Sequence, residues 1–210
     1  MLLKALINGI DGVIPGGISI KDFSMVAETN QVDAKKILEE LIKNGIGKKE
    51  NSVFEFSLGD RLKAGLYAIK EGASIDEVSE HLGWKDFEGL VAEILESKDF
   101  AAIRNLLLKN PRMEIDVVGI KSGIAVLIDC KHWKKSSRSA MRAVVSKQIE
   151  RTKHYVSQTQ GAMAVPVIVT LYQDQLDFID KVPIVPIFQF SSFVDEFYGN
   201  LDELETIKSD

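Results

Sequence analysis

The sequence predicts a mixed α/β fold, in which helices flank a mixed β-sheet and a smaller, mostly helical domain precedes them. Residues 100–190 hold several β-branched, apolar runs with a long helical pattern between them. Residues 1–58 instead show three helical patterns and one short alternating stretch. The 210 residues, 45% hydrophobic and 27% charged, are typical of a globular chain and suffice to bury a core. We therefore expect a first domain over residues 1–58, a helical connector over 59–85 and a second domain over 86–210.

The first domain is expected to contain three helices and a hairpin. Helical patterns cover about residues 1–8, 19–29 and 33–43, a Gly- and Pro-rich loop covers 9–17, and residues 46–58 alternate as a hairpin does. This order resembles a winged helix, whose third helix enters the major groove of DNA. Some winged helices bind proteins instead, and that alternative stays open. The predicted DNA-contacting residues are Asn30, Gln31, Lys35, Lys36 and Lys43 on the third helix, and Lys48 and Lys49 on the hairpin.

The connector carries two further helical patterns. The first includes Leu62 and ends near Gly72, and the second begins at a capping box formed by Ser74 and Glu77. An alternative is that residues 74–82 and the helix that follows them form a helix-turn-helix. The second of those helices is too apolar to lie exposed in a groove, which disfavours this alternative.

The second domain begins with an amphipathic helix from Asp86. Its later helix places apolar residues on one stripe, with Gln148 as the polar exception. Helices and strands that follow one another in this way predict a mixed sheet with helices on both sides. After the first helix, the expected elements are a strand over 100–108, a hairpin over 113–133, a helix over 137–158, strands over 164–171 and 184–190, and a helix over 192–198.

The predicted hairpin over residues 113–133 carries several charged side chains. If Ser122 and Gly123 form its two-residue loop, Asp116 lies opposite Asp129 on one face of the strands. Like charges directly opposite each other are destabilising, so this pair favours a bound cation. Carboxylates are ligands that Mg²⁺ prefers, and Mg²⁺ assists phosphodiester cleavage. A surface hairpin with an ordinary charged face is the alternative. The same face carries the predicted pair of Glu114 and Lys131.

Charge is unevenly distributed along a chain whose formal net charge is −5. Residues 131–153 hold eight Lys or Arg and one acid, whereas residues 195–210 hold six acids and one Lys. A basic surface of this kind suits a polyanion such as nucleic acid, although a solvated helix face is the alternative. No apolar run approaches the roughly 20 residues of a membrane span, and the single Cys130 cannot form an internal disulfide. We therefore expect a cytoplasmic protein.

In combination, these features resemble the PD-(D/E)xK restriction-endonuclease-like nucleases, of the Mrr-like and archaeal Holliday junction resolvase-like branches. The resemblance covers about residues 86–171. Asp129 stands where Glu is the commoner residue, and residues 109–112 replace a glycine-rich approach. The motifs follow in order on a helix, two strands and a second helix: Phe87-Glu88, Phe100, Ile115-Asp116-Val117, Asp129-Cys130-Lys131 and Gln148.

The resemblance implies a Mg²⁺-dependent deoxyribonuclease, with Mn²⁺ as a possible substitute, acting in restriction-like defence or in DNA repair. Lys131 would orient or deprotonate the attacking water, or neutralise charge in the transition state. Gln148 would steady the site or contact the phosphate, and Glu114 would pair with Lys131 or act as an accessory ligand. The implied metal ligands are Asp116, Asp129, the carbonyl of Cys130 and Glu88.

The resemblance also implies DNA as the partner and a homodimer, since cutting both strands is simplest with two active sites. Two other functions stay open: a DNA-binding winged-helix regulator with a catalytically silent nuclease scaffold, and a protein-interaction adaptor that the basic run disfavours. The residues expected to hold the phosphate backbone by charge are Lys134, Lys135, Arg138 and Arg142.

Overall fold

The computed structural model describes residues 2–74, 77, 78, 80–131, 137–171 and 176–209. The chain forms two compact units, residues 1–90 and 91–210, whose boundary falls within α5 (Trp84–Glu96). The three-part division expected from the sequence, with a connector over residues 59–85, stays a prediction.

The first unit surrounds a core in which Phe23, Leu38 and Phe54 are fully buried. Its two central helices begin at polar caps, because the Ser19 hydroxyl accepts from Asp22 N and the side-chain Oδ1 of Asn30 accepts from Asp33 N. Its elements are α1 (Leu2–Gly9), a 3₁₀ turn (Ile10–Gly12), β1 (Gly16–Ser19), α2 (Ile20–Val26), α3 (Gln31–Lys43), β2 (Lys48–Glu50), β3 (Val53–Phe56) and α4 (Asp60–Lys70).

The three predicted helices and the hairpin of this unit are present, but the loop expected over residues 9–17 is not all loop. Its end forms β1, which pairs antiparallel with β3 in a sheet of order β1-β3-β2. A glycine at position 17 permits this pairing, since a Cβ there would lie 2.5 Å from Val53 Cγ1. Two adjacent glycines are typical of turns, and this hid the strand from sequence reasoning.

The second unit is built on a mixed sheet, which contains seven strands within the part of the chain that the structure describes. Strands β4, β5 and β6 run antiparallel, β7 and β9 continue parallel to β6, and β8 and β10 pair antiparallel with β9 and β7. Their bounds are β4 (Ala101–Leu108), β5 (Met113–Lys121), β6 (Ile124–Lys131), β7 (Met163–Thr170), β8 (Asp177–Ile179), β9 (Val182–Pro186) and β10 (Ile207–Lys208).

Two helices complete the second unit, α6 (Arg138–Ser157) and α7 (Ile187–Glu196). The predicted helix over 137–158 is confirmed, with Ser137 as its N-cap. The predicted strand over 184–190 is wrong in its second half: the strand ends at Pro186, and the chain continues directly as α7. The apolar run of residues 187–190 fits a buried strand and a buried helix equally well, so periodicity could not separate them.

Strand β6 is buried along residues 125–130, on both faces of the sheet. The solvated polar face that the alternative reading of the hairpin requires is therefore absent at Asp129, whose exposed fraction is 2%. No helix among the described residues is long and apolar enough to cross a membrane.

Candidate active site

Asp129 is a buried carboxylate held between two cations. Near the end of β6, its Oδ1 accepts a hydrogen bond of 2.6 Å from Arg151 Nη1, and its Oδ2 lies 2.6 Å from Lys131 Nζ. The Lys131 and Arg151 side chains are 18% and 27% exposed, so solvent reaches the cations more than the carboxylate. A buried carboxylate requires such partners, because an unpaired buried charge is costly.

Asp116 brings a second carboxylate to the same place. The strand pairing follows the predicted register from Lys121 opposite Ile124 to Val117 opposite Ile128. Beyond Val117 the Asp116 side chain bonds to the backbone of β6, because its Oδ2 accepts a hydrogen bond of 2.8 Å from Cys130 N.

The pKa of the Asp116 carboxyl reflects its burial and its charged neighbours. Burial, and then the charge of Asp129, raise the pKa of the Asp116 carboxyl above its ordinary 3.8. The Cys130 N–H, Lys131 and Arg151 act in the opposite direction on this pKa. The charge of Asp129 therefore disfavours ionisation of Asp116, while the two cations and the Cys130 N–H favour it.

Helix α6 contributes Gln148 to the site, and this side chain is fully buried. Gln148 Nε2 donates a hydrogen bond of 2.8 Å to the Leu127 carbonyl, and its Oε1 accepts one of 3.3 Å from Arg151 Nη1. Thr152 Oγ1 in turn donates to the Gln148 carbonyl at 2.8 Å. These bonds attach α6 to β6 and hold Arg151 against Asp129.

The two carboxylates fit a divalent cation. Both present hard oxygen ligands, and a cation between them would favour the ionised form of Asp116, which burial and the charge of Asp129 disfavour. Oδ1 of Asp116 has no hydrogen-bond partner among the described residues, so an acceptor remains there. The described residues contain no group of three or more His, Cys, Asp or Glu side chains arranged to hold a metal. Further ligands would therefore be backbone carbonyls, water or substrate.

The other predicted site residues are distributed as follows. Glu88 lies in α5, within the first unit, and its role as a ligand stays a prediction. Cys130 is buried, as expected for a small hydrophobe. Glu114 is exposed and pairs with Leu107 across β4 and β5, and both roles suggested for it stay predictions. Two predicted phosphate contacts lie outside the described residues, Lys134 and Lys135.

The predicted DNA-contacting residues of the two units differ in their charge environment. Arg138 and Arg142 on α6 are exposed and form no ion pair with any described residue. Each lysine of the predicted face in the first unit lies against a carboxylate instead. The pairs are Lys35 with Glu39, Lys36 with Asp33, Lys43 with Glu40, Lys48 with Glu50 and Glu55, and Lys49 with Glu39.

Sequence reasoning missed two residues of the site. Arg151 had a signal, since Lys147 and Arg151 are like charges one turn apart and such a pair favours an anionic partner. Thr170 had none. It pairs with Lys131 across β6 and β7, and its buried hydroxyl has no hydrogen-bond partner among the residues that the structure describes.

Comparison with known proteins bears directly on this arrangement. Residues 79–171 match the family model Mrr_cat, described as restriction endonuclease. This stretch is a restriction endonuclease-like domain. The domain contains both aspartates, Lys131, Gln148 and Arg151, and the seven-stranded mixed sheet with its helices agrees with the predicted fold class.

The chain also has relatives beyond the family model. It is 33% identical over 124 residues to an uncharacterized protein of Archaeoglobus fulgidus, an alignment that covers 57% of this chain and 95% of that protein. The chain and this archaeal protein belong to one family.

Two solved structures also match. One is the crystal structure of a protein of unknown function, AF1548, with 24% identity and a TM-score of 0.31, covering 41% of this chain and 47% of the other. The second is protein VC1899 from Vibrio cholerae, with 12% identity and a TM-score of 0.36, covering 96% and 52%. The chain spans about half the length of these two proteins.

Proposed function

We propose that the protein is a metal-dependent DNA endonuclease, acting in restriction-like defence or in DNA repair and recombination. The observation that carries this proposal is the buried carboxylate of Asp129 beside Asp116, with Lys131 Nζ 2.6 Å from Asp129 Oδ2. The proposal agrees with the restriction endonuclease-like domain over residues 79–171.

In this mechanism, Asp116 and Asp129 would hold Mg²⁺ or Mn²⁺, helped by the Cys130 carbonyl. When bound, such an ion would supply charge stabilisation at the phosphoryl oxygen and make a bound water a better nucleophile. Lys131 donates to a phosphate oxygen or orients the attacking water, from a position fixed by its ion pair with Asp129.

Gln148 steadies the site and does not contact the substrate. It is fully buried, and both of its polar side-chain atoms are bonded within the protein. Of the two roles that the resemblance implies for this residue, burial favours the structural one.

The proposed DNA contacts lie first on α6, whose exposed Arg138 and Arg142 attract the phosphate backbone independently of sequence. The first unit has the element order α1-β1-α2-α3-β2-β3, which supports a winged helix. The ion pairs of its lysines with neighbouring carboxylates leave less positive charge for DNA there, which favours shape or protein recognition for this unit. Two copies of the chain would cut both strands of a duplex.

The test is cleavage of plasmid, linear, single-stranded and four-way-junction DNA in the presence of Mg²⁺, Mn²⁺ or EDTA. We expect metal-dependent cleavage that Asp129→Asn and Lys131→Ala each reduce by about 100-fold or more, since each removes a charge at the reacting phosphate. The control is Glu150→Gln, which removes an exposed carboxylate from α6 and is expected to keep full activity. DNA binding, measured by fluorescence anisotropy, is expected to survive in all three variants.

One observation favours the DNA-binding regulator as a second function: both oxygens of Asp129 are already paired with cations. A site neutralised in this way is also what a silent nuclease scaffold in a DNA-binding regulator would show. DNA binding without cleavage of any of the four substrates, with either metal, would support the regulator and reject the endonuclease.

A further inference from the structure

The Arg151 guanidinium occupies one of the two carboxylate oxygens of Asp129. Its Nη1 is 2.6 Å from Asp129 Oδ1, while Lys131 takes Oδ2, so both carboxylate oxygens face a full positive charge. A divalent cation that approaches Asp129 in this state is repelled by both neighbours and finds the carboxylate neutralised.

The four described charges of the site balance. Two carboxylates, Asp116 and Asp129, face two cations, Lys131 and Arg151. Adding a divalent ion alone would leave a partly buried cluster with two excess positive charges. A phosphodiester arriving with the ion offsets part of this excess and offers Arg151 a new anionic partner.

Arg151 is able to exchange one anion for the other. Its side chain is 27% exposed, so the guanidinium has access to solvent while Asp129 has almost none. Its contacts among the described residues are with Asp129 and Gln148, both through Nη1. The remaining N–H donors of the guanidinium suit a phosphate, which an arginine binds with two parallel hydrogen bonds.

We propose that Arg151 closes the metal position at Asp129 in the DNA-free protein and transfers to a substrate phosphate when DNA binds. This inference rests on the proposed endonuclease function and deepens it, because it makes metal binding dependent on substrate. Coupling between two ligands is reciprocal, so DNA tightens metal binding by the same factor by which metal tightens DNA binding. The free protein then holds its metal weakly.

The experiment measures Mn²⁺ affinity from the electron paramagnetic resonance signal of free Mn²⁺, with and without a phosphorothioate duplex that resists cleavage. In the wild type, we expect the duplex to tighten Mn²⁺ binding about tenfold, within the usual range of coupling between sites. Without DNA, Arg151→Gln is expected to bind Mn²⁺ about tenfold more tightly than the wild type, and the duplex then adds less than about threefold.

The matched control is Lys147→Gln, which removes an exposed positive charge one turn from Arg151 on the same helix. It is expected to change Mn²⁺ affinity by less than about twofold, because an exposed charge is screened. An equal gain in Lys147→Gln and Arg151→Gln would overturn the proposal, since general electrostatics would then explain both. Unchanged Mn²⁺ affinity in DNA-free Arg151→Gln would also overturn it.

Arg151→Lys is the second variant, to be used if Arg151→Gln does not fold. Arg151→Lys retains a cation at Asp129 but lacks the planar fork that binds phosphate. The duplex is then expected to tighten Mn²⁺ binding by less than about threefold, and full tenfold coupling in this variant would reject the transfer of Arg151.

Absence of Mn²⁺ binding in every variant, with or without DNA, would reject the endonuclease function itself. Tight Mn²⁺ binding by the DNA-free wild type would reject only the role of Arg151.

Discussion

The Gln148 side chain donates a hydrogen bond of 2.8 Å from Nε2 to the backbone carbonyl of Leu127, two residues before Asp129. This bond joins the middle of α6 to the strand that carries the site. Gln148 also accepts from Arg151, so one buried amide contacts both the strand and the cation that pairs with Asp129.

Replacing Gln148 by Leu is expected to lower the free energy of unfolding by about 1–3 kcal/mol, because a buried carbonyl loses its donor and Arg151 loses an acceptor. Urea denaturation measures the change. The control is Ser146→Ala, an exposed position on the same helix, where a change within about 0.5 kcal/mol is expected. Equal stability of the two variants would show that the amide contributes nothing to the attachment of α6.

Asp116→Asn is expected to stabilise the protein at neutral pH, although it removes a proposed metal ligand. The pKa of the Asp116 carboxyl is raised, first by burial and then by Asp129, so the folded protein binds this proton more tightly than the unfolded chain does. The stability contributed by the protonated group is complete below the ordinary value of 3.8 and is lost as the pH rises through the folded pKa. The neutral amide avoids that loss and still accepts from Cys130 N.

The measurement is urea denaturation of the wild type and Asp116→Asn between about pH 4 and pH 8. The variant should gain stability over the wild type as the pH rises, and the two should converge at the acid end. Asp202→Asn changes an exposed carboxylate in the same way and should show no such trend. A difference between Asp116→Asn and the wild type that stays constant with pH would contradict the prediction.

The close approach at Gly119 provides a test of the second unit's packing. A Cβ at this position would lie 2.9 and 3.0 Å from the two Cδ atoms of Leu95 and 3.3 Å from Phe100 Cδ1, and both neighbours are buried. Gly119→Ala is therefore expected to cost about 1–3 kcal/mol by overpacking. Combining it with Leu95→Ala should cost less than the sum of the two single changes, measured by urea denaturation, because the smaller side chain makes room. Strict additivity would show that the two side chains do not compete for space.

The register of the hairpin could be predicted because its cause is local. Ser122 and Gly123 have φ of 50° and 78°, the left-handed region that a two-residue loop requires, and Lys121 pairs with Ile124 across it. From that turn onward the pairing of β5 and β6 follows by counting, and the count predicts Asp116 opposite Asp129.

The contacts that complete the site could not be predicted, because they depend on packing between distant residues. Arg151 reaches Asp129 across 22 positions of sequence, and the burial of Asp129 follows from the elements that cover both faces of β6. Alternation along the strand predicts one solvated polar face. The pattern does not reveal which elements pack against the sheet and bury that face. For the same reason, a local sequence pattern does not determine the role of Glu88 or of the first unit.

The final prediction separates the two candidate DNA surfaces by their salt dependence. Each phosphate contact by a cation steepens the fall of log affinity with log salt concentration by about 0.9 on duplex DNA. Arg138 and Arg142 are exposed without ion pairs to described residues, so Arg138→Ala with Arg142→Ala should reduce that slope by about 1.8. Lys35 and Lys36 already lie 3.8 and 3.2 Å from Glu39 and Asp33, so their double alanine variant should change the slope by less than about 0.5.

Fluorescence anisotropy with one labelled duplex over a range of KCl concentrations measures both slopes, with EDTA present to prevent cleavage. Circular dichroism of each variant verifies that its fold is intact. A slope reduced by Lys35→Ala with Lys36→Ala, and unchanged by the two arginine substitutions, would place the phosphate contacts on α3. The ion pairs of the first unit would then have to open on DNA, and the winged helix would be the principal DNA-binding element.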